Sequence, residues 1–306
     1  MDVHLINSST KNILRSATPS AFTLYDLHSH TTASDGLLTP TELVMRAASM
    51  GVDVLAITDH DTTAGLTEAE VAIKQQKLPL RLIHGVEIST LWQHHEIHVV
   101  ALGIDISHPS MCKLLVAQAK RRSQRAQAIG VLLEKAHIPN AWQGAQCLAN
   151  GGQITRSHFA RYLVKQGRVA NVAQVFKKYL VKGKTGYVPP EWCTIEEAID
   201  VITQSGGQAV LAHPGCYPLS SKWLKRLFAH FAEQGGDGVE VAQCQQTPDE
   251  RALLGRYART YSLLASQGSD FHQPCAWIEL GRKLWLPSGV EPIWRDWASD
   301  VKSNIK

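Results

Sequence analysis

Residues 22–36 read FTLYDLHSHTTASDG. The run Phe22 to Leu27 is short, apolar and aromatic, as a buried strand is, and it passes directly into His28 and His30. Residues i and i+2 of a strand point to the same face, so these two imidazoles converge on one point. Five residues beyond His30, Asp35 sits in Ala33-Ser34-Asp35-Gly36, a turn that can fold a carboxylate back toward the strand end.

The same design recurs outward along the chain. Val52 to Ile57 leads into Asp59 and His60, and Leu80 to Val86 ends in Glu87. Ile97 to Leu102 begins beside His98, Gln208 to Ala212 leads into His213, and Leu263 to Ser266 precedes Asp270 and His272. Gly238 to Ala242 is a further short run. Helical segments lie between many of them. Thr39-Pro40-Thr41-Glu42 offers a capping Thr, a Pro at the first helical position and a Glu at the third. Thr194 and Glu197 repeat that logic ahead of a helix that Gly206-Gly207 ends. Strands alternating with helices predict parallel pairing through right-handed crossovers. Donor side chains repeatedly at strand ends predict a barrel with its site on that face. The fold class expected is α/β, a distorted seven-stranded (β/α) barrel.

One segment breaks the rhythm. From Met111 to Gly186 the pattern is helical, with helices expected over Lys113 to Ala136, Arg156 to Gln166 and Val172 to Val181. The expected organisation is an N-terminal flexible tail over 1–22, a barrel in two pieces over 23–110 and 187–290, a helical insertion over 111–186 and a C-terminal tail over 291–306. Residues 113–186 carry 14 Lys and Arg against a single acid, Glu134, whereas the rest of the chain carries 17 basic and 26 acidic residues. A solvated surface usually mixes both signs; charge segregated this way suggests a polyanionic ligand.

Composition sets broad limits. With 306 residues, 44% hydrophobic and 19% charged, the chain can bury a large core without disulfides. Its six cysteines form no CxxC pair and fit a reducing cytosol, so a cytoplasmic protein is expected. No apolar run approaches the roughly 20 residues of a membrane span, and no membrane partner is expected. Met1 to Ala21 is polar and lacks a signal-peptide core; it reads as a flexible tail or as the product of a start placed too far upstream. The tryptophans near the C-terminus, Trp277, Trp285, Trp294 and Trp297, read as packing residues rather than base-stacking platforms.

Nine candidate ligands emerge: His28, His30, Asp35, His60, Glu87, His98, His213, Asp270 and His272. Mixed imidazole and carboxylate ligation suits Zn, Mn or Fe. Carboxylates can bridge two cations about 3.5–4 Å apart. Nine ligands exceed the needs of one ion, so two or three are expected. Asp59 and Asp61 read either as orienting ligand imidazoles or as turn formers, and Glu240 as a support to the ligands.

The motifs DLHSHTTASDG (26–36), ITDHDT (57–62), GVEIS (85–89), HEIHVV (95–100), LAHPG (211–215) and GSDFH (268–272) together resemble the PHP (polymerase and histidinol phosphatase) superfamily, over about Tyr25 to Leu286. Within it, RRSQRAQAIGVLLEKAHIP (121–139), TRSHFARYLV (155–164), KKYLVKGKTGYVPPEWCTIEEAI (177–199) and VEVAQCQQ (239–246) are similar to the bacterial 3′,5′-nucleoside bisphosphate phosphatases, also described as RNase AM, a 5′–3′ exoribonuclease. The resemblance implies a PHP-type barrel and three ions, with manganese the usual metal and Zn²⁺ or Fe²⁺ open. It assigns His28, His30, Glu87 and Asp270 to the first, Asp35, His60 and His272 to the second, and bridging Glu87 with His98 and His213 to the third. The expected chemistry is in-line attack by metal-activated water on a phosphorus ester, with no serine or cysteine nucleophile.

The insertion supplies a second element. Arg122 and Arg125 lie three apart on a helix and share a face. Arg156 and His158 lie at the next helix N-terminus, where backbone N–H groups favour an anion. These four are the candidate clamp for a second phosphate, since guanidinium matches phosphate bidentately. Two phosphates fit nucleoside 3′,5′-bisphosphates and the 5′ ends of RNA as substrates, with a role in RNA maturation; no protein partner is indicated. A histidinol-phosphate phosphatase would have no use for so basic an insertion. A non-catalytic nucleic-acid-binding module would have no need of a full ligand set.

Overall fold

A computed structural model describes residues 23–297. The tail expected over 1–22 lies outside these, as does the chain beyond 297. Strands β1 (Tyr25–Asp26), β2 (Val54–Ile57) and β3 (Arg81–Trp92) pair in parallel through helices α1 (Pro40–Ser49) and α2 (Leu66–Gln76). The capping box foreseen at Thr39 and Glu42 is formed, and Pro40 opens α1. A second parallel set, β6 (Gln208–Leu211), β7 (Gly238–Ala242) and β8 (Leu264–Gln267), is linked by α8 (Ser221–Glu233) and α9 (Pro248–Thr260).

Between the two sets the expectation of parallel pairing fails. β4 (His95–Leu102) runs antiparallel to both neighbours, β3 and β6. The cause is local: Gln93 and His94 both have positive φ (47° and 70°), which makes the two-residue turn of a hairpin. The strand order is β1-β2-β3-β4-β6-β7-β8, and the two-residue β5 (Cys193–Thr194) pairs only with β3. The amide of Leu27 donates to the Gln267 carbonyl, and Ser29 bridges Phe271, so the seven-strand ring nearly closes. The seam is tight, because a Cβ on Gly268 would lie 2.3 Å from the His28 Cβ.

Alternation along the strands sorts two faces. Val54, Ala56, Val100, Leu102, Val210 and Ala212 fill the barrel interior, while Leu55, Ile57, Val99, Ala101 and Leu211 pack outward against helices. Glu87, Glu96, His98 and Glu240 have the inward parity and stand above that apolar layer. The foot of the barrel is plugged by residues expected to be a tail. Ile293 is fully buried, its amide donates to the Ala265 carbonyl, and Trp294 stacks on Tyr25 with centroids 4.2 Å apart. Trp294 and Trp297 thus pack as expected, whereas Trp277 is 74% exposed.

The helical segment starts at α3 (Pro109–Lys135), whose first turns pack Met111 into the barrel core. Further along, Ala126, Ile129 and Leu133 join α4 (Ala141–Ala149), α5 (Arg156–Lys165) and α6 (Val172–Val175) in a separate apolar cluster. The helix expected over Val172 to Val181 is an α-turn that widens into π-type turns at Phe176–Leu180. α7 (Ile195–Gln204) returns the chain to the barrel, with its capping box at Thr194 and Glu197 formed. No helix of the described residues is long and apolar enough to cross a membrane.

Candidate metal centre and adjoining pocket

The nine side chains singled out in the sequence meet at one end of the barrel. β4 being reversed, its N-terminal half faces the same end as the C-termini of its neighbours, which is how His98 joins the others. Glu87 lies at the middle. Its Oε1 is 2.8 Å from His98 Nδ1 and 2.9 Å from His213 Nε2, and its Oε2 is 2.9 Å from His60 Nδ1 and 3.3 Å from His30 Nε2. On one side, Asp270 Oδ1 lies 3.5 Å from His28 Nε2 and 3.2 Å from His30 Nε2. On the other, Asp35 Oδ1 lies 3.3 Å from His272 Nε2 and 3.9 Å from His60 Nε2. Three donor groups follow, each with ligand atoms within 4.8 Å: His30, Asp35, His60 and His272; His28, His30 and Glu87; His60, Glu87 and His98.

The backbone is bent to make this possible. His213 and Asp270 take positive φ (29° and 53°), costly for residues with a Cβ and concentrated where side chains must be aimed. Supports hold the imidazoles. His28 Nδ1 is 2.6 Å from Glu240 Oε1, and the other Glu240 oxygen accepts the His213 amide at 2.6 Å, so one carboxylate fixes two histidines. Asp59 takes neither of the roles considered for it directly: it accepts from the Thr31 amide and hydroxyl and from the Ser34 hydroxyl, bracing the loop that carries Asp35.

Electrostatics in the cluster is a contest between burial and neighbouring charge. Burial pushes every imidazole toward its neutral form. At His272 the carboxylates of Asp35 and Asp270 outweigh burial and raise the pKa to about 10; His28, His60 and His213 are raised for the same reason. At His30 burial wins, aided by His272, and the pKa falls to about 3. Burial favours protonated carboxylates, yet the surrounding histidines hold Asp35 and Glu87 well below the usual range. Asp35 Oδ1 and Glu87 Oε2 are nevertheless buried without a hydrogen-bond partner. Packed imidazoles, ionised carboxylates and orphaned oxygens aimed at common points are what divalent cations satisfy.

A cavity opens beside the cluster, between barrel and insertion. Asp35, His60 and His98 line it together with Arg122, Arg125 and Arg156, and Ile154, Phe159, Phe176 and Trp192 supply apolar surface. Each arginine already has a carboxylate partner. Arg122 is buried in an ion pair with Asp61 and donates to the Ser89 hydroxyl at 2.7 Å. Asp61 also accepts from Gln118 of α3, so its role is to anchor that helix. Arg125 and Arg156 share Glu96, at 2.6 and 3.0 Å, and Trp192 Nε1 donates to it at 3.0 Å. Arg125 Nη2 remains buried and without a hydrogen-bond partner. His158 departs from expectation: its Nδ1 accepts the Thr155 amide in a capping box, and it does not line the cavity.

Sequence reasoning missed Glu96, Thr155 and Arg161. Glu96 carries a usable signal, since it stands two residues from His98 and so shares its strand face. Thr155 donates to Asp35 Oδ2 at 2.9 Å, and Arg161 donates to the Asp35 carbonyl. Neither contact has a local signature, because 120 or more residues separate the partners.

Known proteins place the chain. The 5′-3′ exoribonuclease Rnm of Escherichia coli (strain K12) is 66% identical over 274 residues, which cover 90% of this chain and 94% of that protein. The 3′,5′-nucleoside bisphosphate phosphatase of Chromobacterium violaceum is 41% identical over 273 residues, 89% and 95% of the two chains. A solved structure described as an amidohydrolase from Chromobacterium violaceum, with bound sulfate and no metal, superposes with a TM-score of 0.85 at 40% identity, covering 90% of this chain and 96% of that one. The PHP domain profile matches residues 26–187. With its donor cluster, its barrel and these relatives in agreement, the chain belongs to the PHP domain family.

Proposed function

We propose that this protein is a metal-dependent phosphoesterase that hydrolyses nucleoside 3′,5′-bisphosphates to 5′-monophosphates. On the same reading it removes nucleotides one at a time from 5′-monophosphorylated RNA, in RNA maturation. The observation that carries the reading is the shared cavity: donor-cluster residues form one wall and three arginines the other. A substrate held by two phosphates fits that arrangement, and one phosphate alone leaves half of it idle. The relatives named for exoribonuclease and bisphosphate phosphatase activity agree with it.

His28, His30, Glu87 and Asp270 would hold one cation, Asp35, His60 and His272 a second, and Glu87 with His98 and His213 a third. Manganese is proposed, with Zn²⁺ or Fe²⁺ compatible with the same donors. When bound, such cations lower the pKa of water and offset charge on the phosphorus oxygens. The chain's own residues do the rest. Arg125, with its unpartnered Nη2, and Arg156 receive the far phosphate. Arg122, locked on Asp61, adds fixed positive charge to the same wall. The apolar wall of Ile154, Phe159 and Phe176 takes the nucleoside and excludes water. Glu240 keeps His28 and His213 in one orientation.

The test compares Mn²⁺-loaded protein on adenosine 3′,5′-bisphosphate, on RNA with 5′-monophosphate, 5′-triphosphate or 5′-hydroxyl ends, and on histidinol phosphate, with His28→Ala as control. AMP from the first and mononucleotides from the monophosphorylated RNA are expected. Equal degradation of all three RNA ends would count against the arginine wall, and turnover of histidinol phosphate alone would replace the substrate assignment.

A further inference from the structure

We propose that Lys177, Lys178, Lys182 and Lys184 form a track that carries single-stranded RNA beyond the cleavage pocket; this rests on the RNA-degrading reading above. The stretch from Lys165 to Pro190 holds six cationic residues and no acid. All four lysines are exposed. None of them makes an ion pair with any described residue. Outside residues 113–186 acids outnumber Lys and Arg by 26 to 17, so this acid-free run is where cations have no acidic neighbours along the chain. Four unmatched lysines in one short segment mutually repel, and a polyanion relieves that repulsion.

Position connects the strip to the pocket. Phe176 lines the cavity, with the Arg156 guanidinium 5.8 Å from its ring centroid. Lys177 and Lys178 follow it at once in the same π-type turns. The Lys178 ammonium lies 5.1 Å from the Tyr179 ring centroid. Lysines interleaved with Phe176 and Tyr179 match how single strands are held without sequence preference, by backbone attraction and base stacking. None of the four lysines lines the cavity, so a mononucleotide seated there has no need of them. Only a polymer with further phosphates would use them. The strip would thus separate the two substrates of this one site.

The experiment uses the full chain with Lys177→Gln, Lys178→Gln, Lys182→Gln and Lys184→Gln combined. Turnover is measured against salt on 5′-monophosphorylated RNA of about 20 nucleotides, long enough for one single-strand site, and on adenosine 3′,5′-bisphosphate. On RNA the variant should lose about tenfold or more in kcat/KM at low salt, and its log–log salt slope should shrink by about 2–3, since each single-strand phosphate contact contributes roughly 0.7. On the bisphosphate it should stay within about twofold of the parent. An unchanged RNA salt slope, or an equal fall on both substrates, overturns the track. RNA affinity by fluorescence anisotropy, with and without the four changes on a His28→Ala background, decides it independently of turnover. Parent protein that fails to release nucleotides strikes the functional reading instead.

Discussion

Glu96 stands where a negative charge should be least welcome, in the wall that is to receive a phosphate. Burial opposes its ionisation, but Arg156 and Arg125 outweigh burial and lower its pKa to about 2, so it is a carboxylate at every working pH. Its two oxygens fix both guanidinium forks and leave Arg125 Nη2 over for a ligand. Such preorganisation lowers the ordering cost of binding. Glu96→Gln should therefore raise KM for adenosine 3′,5′-bisphosphate about tenfold, or ~1.4 kcal/mol, while a simple aryl phosphate, which reaches only the donor cluster, keeps its KM. Steady-state kinetics on the two substrates checks this. The nine cluster residues were legible in sequence because type and position agreed: histidines and acids stand at or just beyond the ends of most of the short apolar runs. Parity with His98 places Glu96 on the same strand face, but its role was not legible, because it depends on partners 29, 60 and 96 residues away that the strand pattern does not reveal.

Among the elements, the two capping boxes read in the sequence, Thr39 with Glu42 and Thr194 with Glu197, are formed, and a third, unread there, opens α9 at Thr247-Pro248-Asp249-Glu250. The reversal of β4 escaped for a physical reason. Gln93-His94 is not one of the Asn-Gly or Asp-Gly pairs that announce a hairpin, and side chains with a Cβ rarely adopt positive φ. The barrel seam depends on another backbone detail. Gly268 lets the end of β8 approach β1 so closely that a Cβ there would meet the His28 Cβ at 2.3 Å and the His28 amide nitrogen at 2.8 Å. Gly268→Ala should destabilise the protein by ~1–3 kcal/mol and displace His28 from the cluster. Thermal melting together with cation titration would register both effects; a variant unchanged in either would mean that the seam has slack.

Over the whole molecule, the histidines and carboxylates of the cluster tie stability to pH. His272 has a folded pKa of about 10 against an ordinary value of 6.5. Its contribution to stability is therefore complete below pH 6.5 and is lost as pH rises toward 10. The opposite displacement at His30, to about 3, removes stability on the acid side of 6.5. The melting temperature of chelator-treated protein should fall as pH is raised from 6.5 toward 10, and cation loading, which displaces protons from the cluster, should flatten that limb. Calorimetric scans across this window, with and without Mn²⁺, make the comparison; an alkaline limb equally steep in both would count against cation binding at His272.

The two halves of the cavity are also not independent parts. Asp35 faces His272 and His60 with one oxygen, and with the other it accepts the hydroxyl of Thr155, the residue that starts α5. To the extent that this contact couples them, the free energy by which an occupied barrel mouth steadies α5 equals the free energy by which an ordered α5 steadies that occupancy. Occupancy at the barrel mouth and order in the insertion are thus reciprocal quantities, and a substitution that loosens α5 is at the same time a substitution in ion affinity.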